Sequence, residues 1–232
     1  LLHARITATK GAGLKKGNIQ KPFSITNKHS KQDRVMIQVY TENFNGTWLT
    51  LACTEQQVIT TSFAETEQKA LSNLLNNLPF KEPFQVFSSP STYAKNAFME
   101  IEGILEGKNV NCNLNLATEK LPKYTTSVLK AVMQIPAGYV ATYGAVAKAV
   151  GGGPRAVGNV MAGNIFAPLV PCHRVVKSDF SLGGYGGGLK VKYQLLTKEK
   201  RGYTEPKQVA VENGGVLQVY PVECALKTVN YL

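Results

Sequence analysis

Thr142-Tyr143-Gly144-Ala145-Val146-Ala147-Lys148-Ala149-Val150 runs into Gly151-Gly152-Gly153, which is followed by Pro154-Arg155-Ala156-Val157-Gly158-Asn159-Val160-Met161-Ala162-Gly163-Asn164. Val146, Ala147 and Val150 share one side of the first run. Pro154 suits the first turn of a second helix, where a missing N–H costs nothing. Helix, glycine turn and small-residue helix is the outline of a helix-turn-helix, and equally of an ordinary helical hairpin. Local charge favours the first: residues 121–203 carry 11 Lys and Arg against 2 Asp and Glu. Ala156, Gly158, Ala162 and Gly163 would let the second helix approach a partner helix or a nucleic-acid backbone closely.

Outward from this pair, Val128, Leu129, Val132, Met133 and Ile135 predict a helix over Thr125–Ile135, capped by Thr125 or Thr126 and stopped by Pro136. On the other side, Val191 to Leu196 predicts a helix whose apolar face docks on a core. Between lies Pro171-Cys172-His173-Arg174-Val175-Val176, followed by the cluster Gly183-Gly184-Tyr185-Gly186-Gly187-Gly188. A cysteine of ordinary pKa is mostly protonated at neutral pH, so a nucleophilic Cys172 needs a base or a positive setting. His173 is adjacent, but neighbours on an extended chain point apart, and a Cys-His dipeptide alone is weak evidence. The acids of this half are Asp179, in a polar turn, and Glu199, at a helix end. Glu199 is as readily a solvated charge as a partner for the imidazole.

The first half reads differently. Alternation from Val35 to Phe63, broken by Asn45-Gly46, predicts a small antiparallel sheet with a type I′ hairpin. Apolar residues at helical spacing predict helices over Glu65–Leu78, ended by Pro79, and Thr92–Leu105, ended near Gly107. Asn113 to Leu116 reads as a strand leading to a linker at Leu121-Pro122. In the tail, Val209–Val211 and Val216–Tyr220 read as a hairpin around Asn213-Gly214-Gly215. The expected fold is therefore α+β: a small antiparallel-sheet N-terminal domain, then a mostly helical C-terminal domain with a winged-helix-like helix-turn-helix. The expected divisions are a flexible basic leader 1–34, an α+β domain 35–120, a DNA-binding domain 121–203 and an extension 204–232 of unassigned role.

The whole chain of 232 residues has a net charge of +11. That excess argues for a polyanionic partner, nucleic acid first, rather than for any fold. The leader holds 8 basic residues and 1 acidic one, whereas residues 35–120 hold 5 and 9. Cys53, Cys112, Cys172 and Cys224 form no CxxC pair, and there is no secretory or membrane-spanning run, so an intracellular protein is expected, cytoplasmic or nuclear. Cys53 and Cys112 read as packing residues.

The run from Thr125 to about Gly202 closely resembles the methylated-DNA–protein-cysteine methyltransferases, also called O6-alkylguanine-DNA alkyltransferases. The carrying residues are Pro136-Ala137-Gly138, Thr142-Tyr143-Gly144, Pro154-Arg155-Ala156-Val157-Gly158, Gly163-Asn164, Pro171 to Val176, Gly183…Tyr185…Gly188-Leu189 and Lys192…Leu195-Leu196…Glu199, in family order and spacing. Residues 35–120 resemble the family's variable N-terminal domain through weaker motifs.

The resemblance implies single-turnover repair, in which Cys172 takes the alkyl group from O6 of guanine in an SN2 displacement. His173 would remove the thiol proton through a water, Glu199 would hold the imidazole, and Asn164 would fix the active-site loop. Tyr143 would donate to the guanine or steer its phosphate, and Arg155 would fill the gap left by the flipped base. Ala156, Gly158 and Arg174 would meet DNA, and Pro171, Val175, Tyr185 and Gly186 would line the pocket. The partner would be double-stranded DNA containing O6-alkylguanine, met by a monomer without membrane association, with no cofactor and no metal. Two departures bear on the pocket: Ile165-Phe166-Ala167 replaces a loop that often carries prolines, and Gly186 stands where some relatives have serine. Two other classes compete, a DNA-binding sensor without transfer activity and a Cys-His hydrolase.

Overall fold

The computed structural model describes residues 36–79, 82–212 and 214–229. The expected basic leader 1–34, with Val35 and Asn213, lies outside them.

Strands β1 (Ile37–Phe44) and β2 (Thr47–Cys53) pair antiparallel through the turn at Asn45 and Gly46, whose φ of 49° and 81° are those a type I′ hairpin needs. β3 (Val58–Ala64) adds to β2. Helix α1 (Glu67–Asn76) starts where the Thr66 side chain accepts from Lys69 N–H. β4 (Phe84–Val86) then pairs parallel with β1, completing a sheet of order β3-β2-β1-β4. This strand was not expected; three residues are too few for alternation to show. Helix α2 (Thr92–Leu105), capped by Ser91, has the expected span. The strand expected at 113–116 reduces to one bridge, Leu116 to Val58.

α3 (Lys123–Met133) begins after Pro122 with no side-chain cap, so Thr125 and Thr126 lie inside the helix and not at its start. Thr126 Oγ1 instead donates to Thr118 O. A short strand β5 (Tyr139–Thr142) feeds α4 (Tyr143–Val150), which Thr142 caps, and α5 (Pro154–Ala162) opens on Pro154 as expected. After a 3-10 turn at Cys172–Arg174 come β6 (Val175–Val176), α6 (Leu189–Lys198), β7 (Lys207–Ala210), β8 (Val216–Pro221) and α7 (Val222–Leu226). The tail hairpin is present, and it is not a mere extension. β8 pairs with β5, giving a second sheet of order β6-β5-β8-β7 that flanks the helix-turn-helix as a wing.

The boundaries expected at 120 and 203 do not part the core. One cluster of buried side chains runs from Leu49 and Ile101 through Val132 and Val157 to Leu217, and the described residues form one compact unit. Gly107 marks how tightly the two halves meet: at φ of 76° it sits where a Cβ would lie 2.5 Å from Lys198 O, the last carbonyl of α6. That contact presses the end of α2 against the helix end that carries Glu199. Among the described residues no helix is long and apolar enough to cross a membrane.

Candidate active site

Cys172, His173 and Arg174 form one turn of 3-10 helix between Pro171 and β6. At three residues per turn, successive side chains leave about 120° apart. The turn therefore aims the thiol and the imidazole in different directions. Cys172 N–H donates to Val170 O at 2.8 Å, and Arg174 N–H to Pro171 O at 2.9 Å, which closes the turn.

His173 and Glu199 are both wholly buried, with Nε2 2.9 Å from Oε1. Glu199 caps the C-terminal end of α6, just after Lys198, where the helix dipole disfavours a carboxylate. Arg174 offsets this: its Nε lies 3.0 and 3.1 Å from the two carboxylate oxygens, its Nη2 2.9 Å from Oε1, and its Nη1 donates to Ile135 O at 2.6 Å. Burial alone would raise the Glu199 carboxyl, but the facing imidazole and guanidinium outweigh it and hold the group at about 2. Burial pushes His173 the other way, below 6.5, against the pull of Glu199. A neutral imidazole donating Nε2–H to Glu199 leaves Nδ1 as a lone-pair base, and Nδ1 is buried with no partner among the described residues.

Asn164 ties the preceding loop into a knot. Its Nδ2 donates to Val170 O at 2.9 Å and its Oδ1 accepts from Phe166 N–H at 3.0 Å. Burial raises the thiol pKa, while Asn164 and the charge on Lys192 lower it. The resting cysteine is thus protonated and protected until a base acts on it.

Tyr143 opens α4 and lies against Gly183, where an added Cβ would meet its Cε2 at 3.1 Å. Tyr185 turns its hydroxyl into the same region, buried and without a partner among the described residues; burial and then the Cys172 and Glu199 charges push its pKa up. Gly186 beside it is exposed and open at its Cβ position. Arg155, near the start of α5, is exposed, with Ala156 and Gly158 half-buried behind it.

Two expectations need correction. Arg174 does not face DNA: it is 6% exposed and committed to Glu199 and Ile135. Val175, expected in the pocket wall, has its side chain at 0% exposure in the core, and Pro171 is buried as well.

Sequence reasoning assigned no role to Lys192. It is wholly buried, its Nζ donates to Val175 O at 2.5 Å, and burial lowers its pKa to about 8 against the attraction of Cys172. Lys192, Leu195, Leu196 and Glu199 fall at i, i+3, i+4 and i+7, the buried stripe of α6. Two opposite charges on an apolar stripe were the available signal. Among the described residues no three His, Cys, Asp or Glu side chains converge on a metal-sized site.

Residues 123–201 match the family model described as 6-O-methylguanine DNA methyltransferase, DNA binding domain. A methylated-DNA–protein-cysteine methyltransferase of Pyrobaculum aerophilum is 56% identical over 68 residues, 29% of this chain and 46% of that protein. One from Methanothermobacter thermautotrophicus is 39% identical over 113 residues, 48% of this chain and 64% of that protein. The chain thus matches less than two thirds of the length of either relative. Among solved structures, the O6-methylguanine-DNA methyltransferase of Pyrococcus kodakaraensis aligns over 71% of this chain and 99% of its own, with 27% identity and a TM-score of 0.56. The Mycobacterium tuberculosis OGT in complex with DNA aligns over 70% and 92%, with 25% identity and the same TM-score. With the motifs in order and the fold shared, residues 123–201 are similar to the DNA-binding domain of the methylated-DNA–protein-cysteine methyltransferases.

Proposed function

We propose that this chain repairs DNA by direct reversal, moving a methyl or other alkyl group from O6 of guanine to its own Cys172. The observation that carries the reading is a protonated, buried thiol on the same 3-10 turn as a neutral imidazole that Glu199 orients, with Asn164 bracing the loop that leads into the turn. His173 Nδ1 takes the thiol proton through a water. The thiolate sulfur attacks the carbon on O6, a C–S bond forms as the C–O bond breaks, and the electron pair returns to guanine, which regains its carbonyl and a proton. Asn164 and the Lys192 ammonium favour the thiolate while it lasts. The product is a thioether, which no side chain of the site can cleave, so each molecule acts once and needs no cofactor.

The reacting carbon is out of reach within the base stack, so the nucleotide must be flipped at a cost of a few kcal/mol. In this reading Arg155, which is exposed on the helix-turn-helix, enters the vacated position, and the small residues of α5 let the helix close on the duplex. All the named side chains come from one chain, which supports action as a monomer. The test is mass spectrometry after incubation with duplex DNA containing O6-methylguanine. One methyl on the peptide holding Cys172, none in Cys172→Ala and no second turnover are expected. A wild-type Cys172 left unmodified would refute the assignment.

A further inference from the structure

The first sheet ends on β3, and the outer edge of β3 is taken up by the active-site loop. Thr61 N–H donates to Ile165 O at 2.9 Å. The Thr60 hydroxyl donates to the same carbonyl at 2.7 Å, and the Thr61 hydroxyl donates to Ala167 O at 2.8 Å. Thr60 is 0% exposed and Thr61 3%. Successive side chains of a strand leave opposite faces, so the two hydroxyls close on the loop from both sides of the sheet. Buried polar side chains are kept only where their hydrogen bonds are met, and here both are met by carbonyls some hundred residues away in the chain.

Those carbonyls flank Phe166, which is itself wholly buried. Phe166 N–H is held by Asn164, and Phe166 O accepts from Val170 N–H at 3.0 Å; Val170 O in turn receives Asn164 Nδ2 and Cys172 N–H. A displacement at Ile165 or Ala167 therefore reaches the Cys172 backbone through one residue, Asn164, and one carbonyl, Val170 O.

We propose that Thr60 and Thr61 are positioning residues for alkyl transfer: the N-terminal sheet sets the place of Asn164 and Cys172 through their two hydroxyls. This rests on Cys172 being the alkyl acceptor. The two halves do not depend on this pair to stay joined. Lys198 Nζ donates to Leu105 O at 2.9 Å and Arg201 Nη2 donates to Gly107 O at a second junction, and the core runs through both.

The experiment compares Thr60→Val, Thr61→Val and the double Val variant with the double Ser variant. Single-turnover methyl transfer from O6-methylguanine duplex is measured over DNA concentration, beside urea unfolding. Val keeps the shape and removes the hydroxyl, whereas Ser keeps the hydroxyl. The double Val variant should lose roughly 10- to 100-fold in limiting rate, with DNA half-saturation unchanged, and the double Ser variant should recover most of it. A second readout needs no DNA: the rate at which iodoacetamide modifies Cys172 between pH 6 and 10 should change its profile in the Val variants and return in the Ser variants. A limiting rate at the wild-type level, a shift in half-saturation alone, or a loss matched by the unfolded fraction would overturn the proposal. If wild-type Cys172 gained no methyl the repair assignment would fall, and an iodoacetamide profile identical in wild type and double Val would separately sink the positioning role.

Discussion

His173 Nε2 stands 2.9 Å from Glu199 Oε1 with both side chains at 0% exposure, and the same carboxylate receives Arg174. One acid thus orients the base and neutralises the only cation that shares its pocket wall on the 3-10 turn. Glu199→Gln keeps the shape and removes the charge, leaving the Arg174 guanidinium buried without a counter-ion. Breaking a buried pair in this way costs about 3–5 kcal/mol. Transfer should fall by at least about a hundredfold, because the imidazole loses the carboxylate charge that stabilises it as it takes up the thiol proton. Urea unfolding and single-turnover transfer measure the two effects; a variant as stable as wild type would show that Arg174 finds another partner.

The same cluster sets an acid limit. The Glu199 carboxyl is lowered from 4.5 to about 2 in the fold. A depressed acid contributes stability that is complete above 4.5 and is lost as pH falls towards 2, here about 3 kcal/mol. His173, held below 6.5, acts with the same sign, since the unfolded chain takes up its proton first. The urea midpoint should be level between pH 7 and 8, decline below 6.5 and drop again below 4.5. Glu199→Gln should lose the lower step, and a persisting step would assign it to another acid.

Arg155 is exposed on α5 and has no hydrogen-bond partner among the described residues. If it fills the space of a flipped nucleotide, its loss matters only where there is a stack to fill. Arg155→Ala should slow transfer from duplex DNA by roughly 10- to 100-fold, while transfer from single-stranded DNA changes little. Equal loss on both substrates would make Arg155 a general phosphate contact, and the salt dependence of binding would then fall with it.

Leu217 is at 0% exposure on β8, the strand that pairs with β5, while its neighbour Val216 is 52% exposed. Leu217→Ala should cost about 2–5 kcal/mol in urea unfolding, and Val216→Ala close to nothing. Similar small effects at both positions would detach the tail from the fold.

The helix-turn-helix was legible because its signals are local: helical spacing, Thr142 as a cap, Pro154 at a first turn and glycines between. Cys172, His173 and Glu199 became legible together only through the ordered motifs, since neither the dipeptide nor a helix-end acid is specific alone. What escaped were relations over distance. β4, β5 and β6 have two to four residues each and exist because a partner strand pairs them. The family resemblance puts Arg174 at DNA, and only the arrival of Glu199 from the end of α6 turns it inward. The Thr60 and Thr61 contacts join residues over a hundred positions apart, which no period in the sequence marks.

Lys192 separates stability from activity. Burial lowers its ammonium from 10.5 to about 8, against the pull of the Cys172 charge. The unfolded chain therefore binds this proton more tightly, and holding it in the fold costs about 3 kcal/mol below pH 8, a cost that fades as pH rises to 10.5. Lys192→Met removes that cost and leaves Val175 O without its donor, worth about 1 kcal/mol, so the variant should gain roughly 2 kcal/mol at pH 7. The same change strips a positive charge from the surroundings of the sulfur, and a thiol with less positive charge near it gives up its proton less readily. Transfer at pH 7 should slow by about tenfold, and its pH profile should move to the alkaline side. A more stable, slower protein is the expected result. A variant that is less stable and slower would mean that Lys192 is needed for packing, and one that is more stable and equally fast would mean that its charge does nothing for the thiolate.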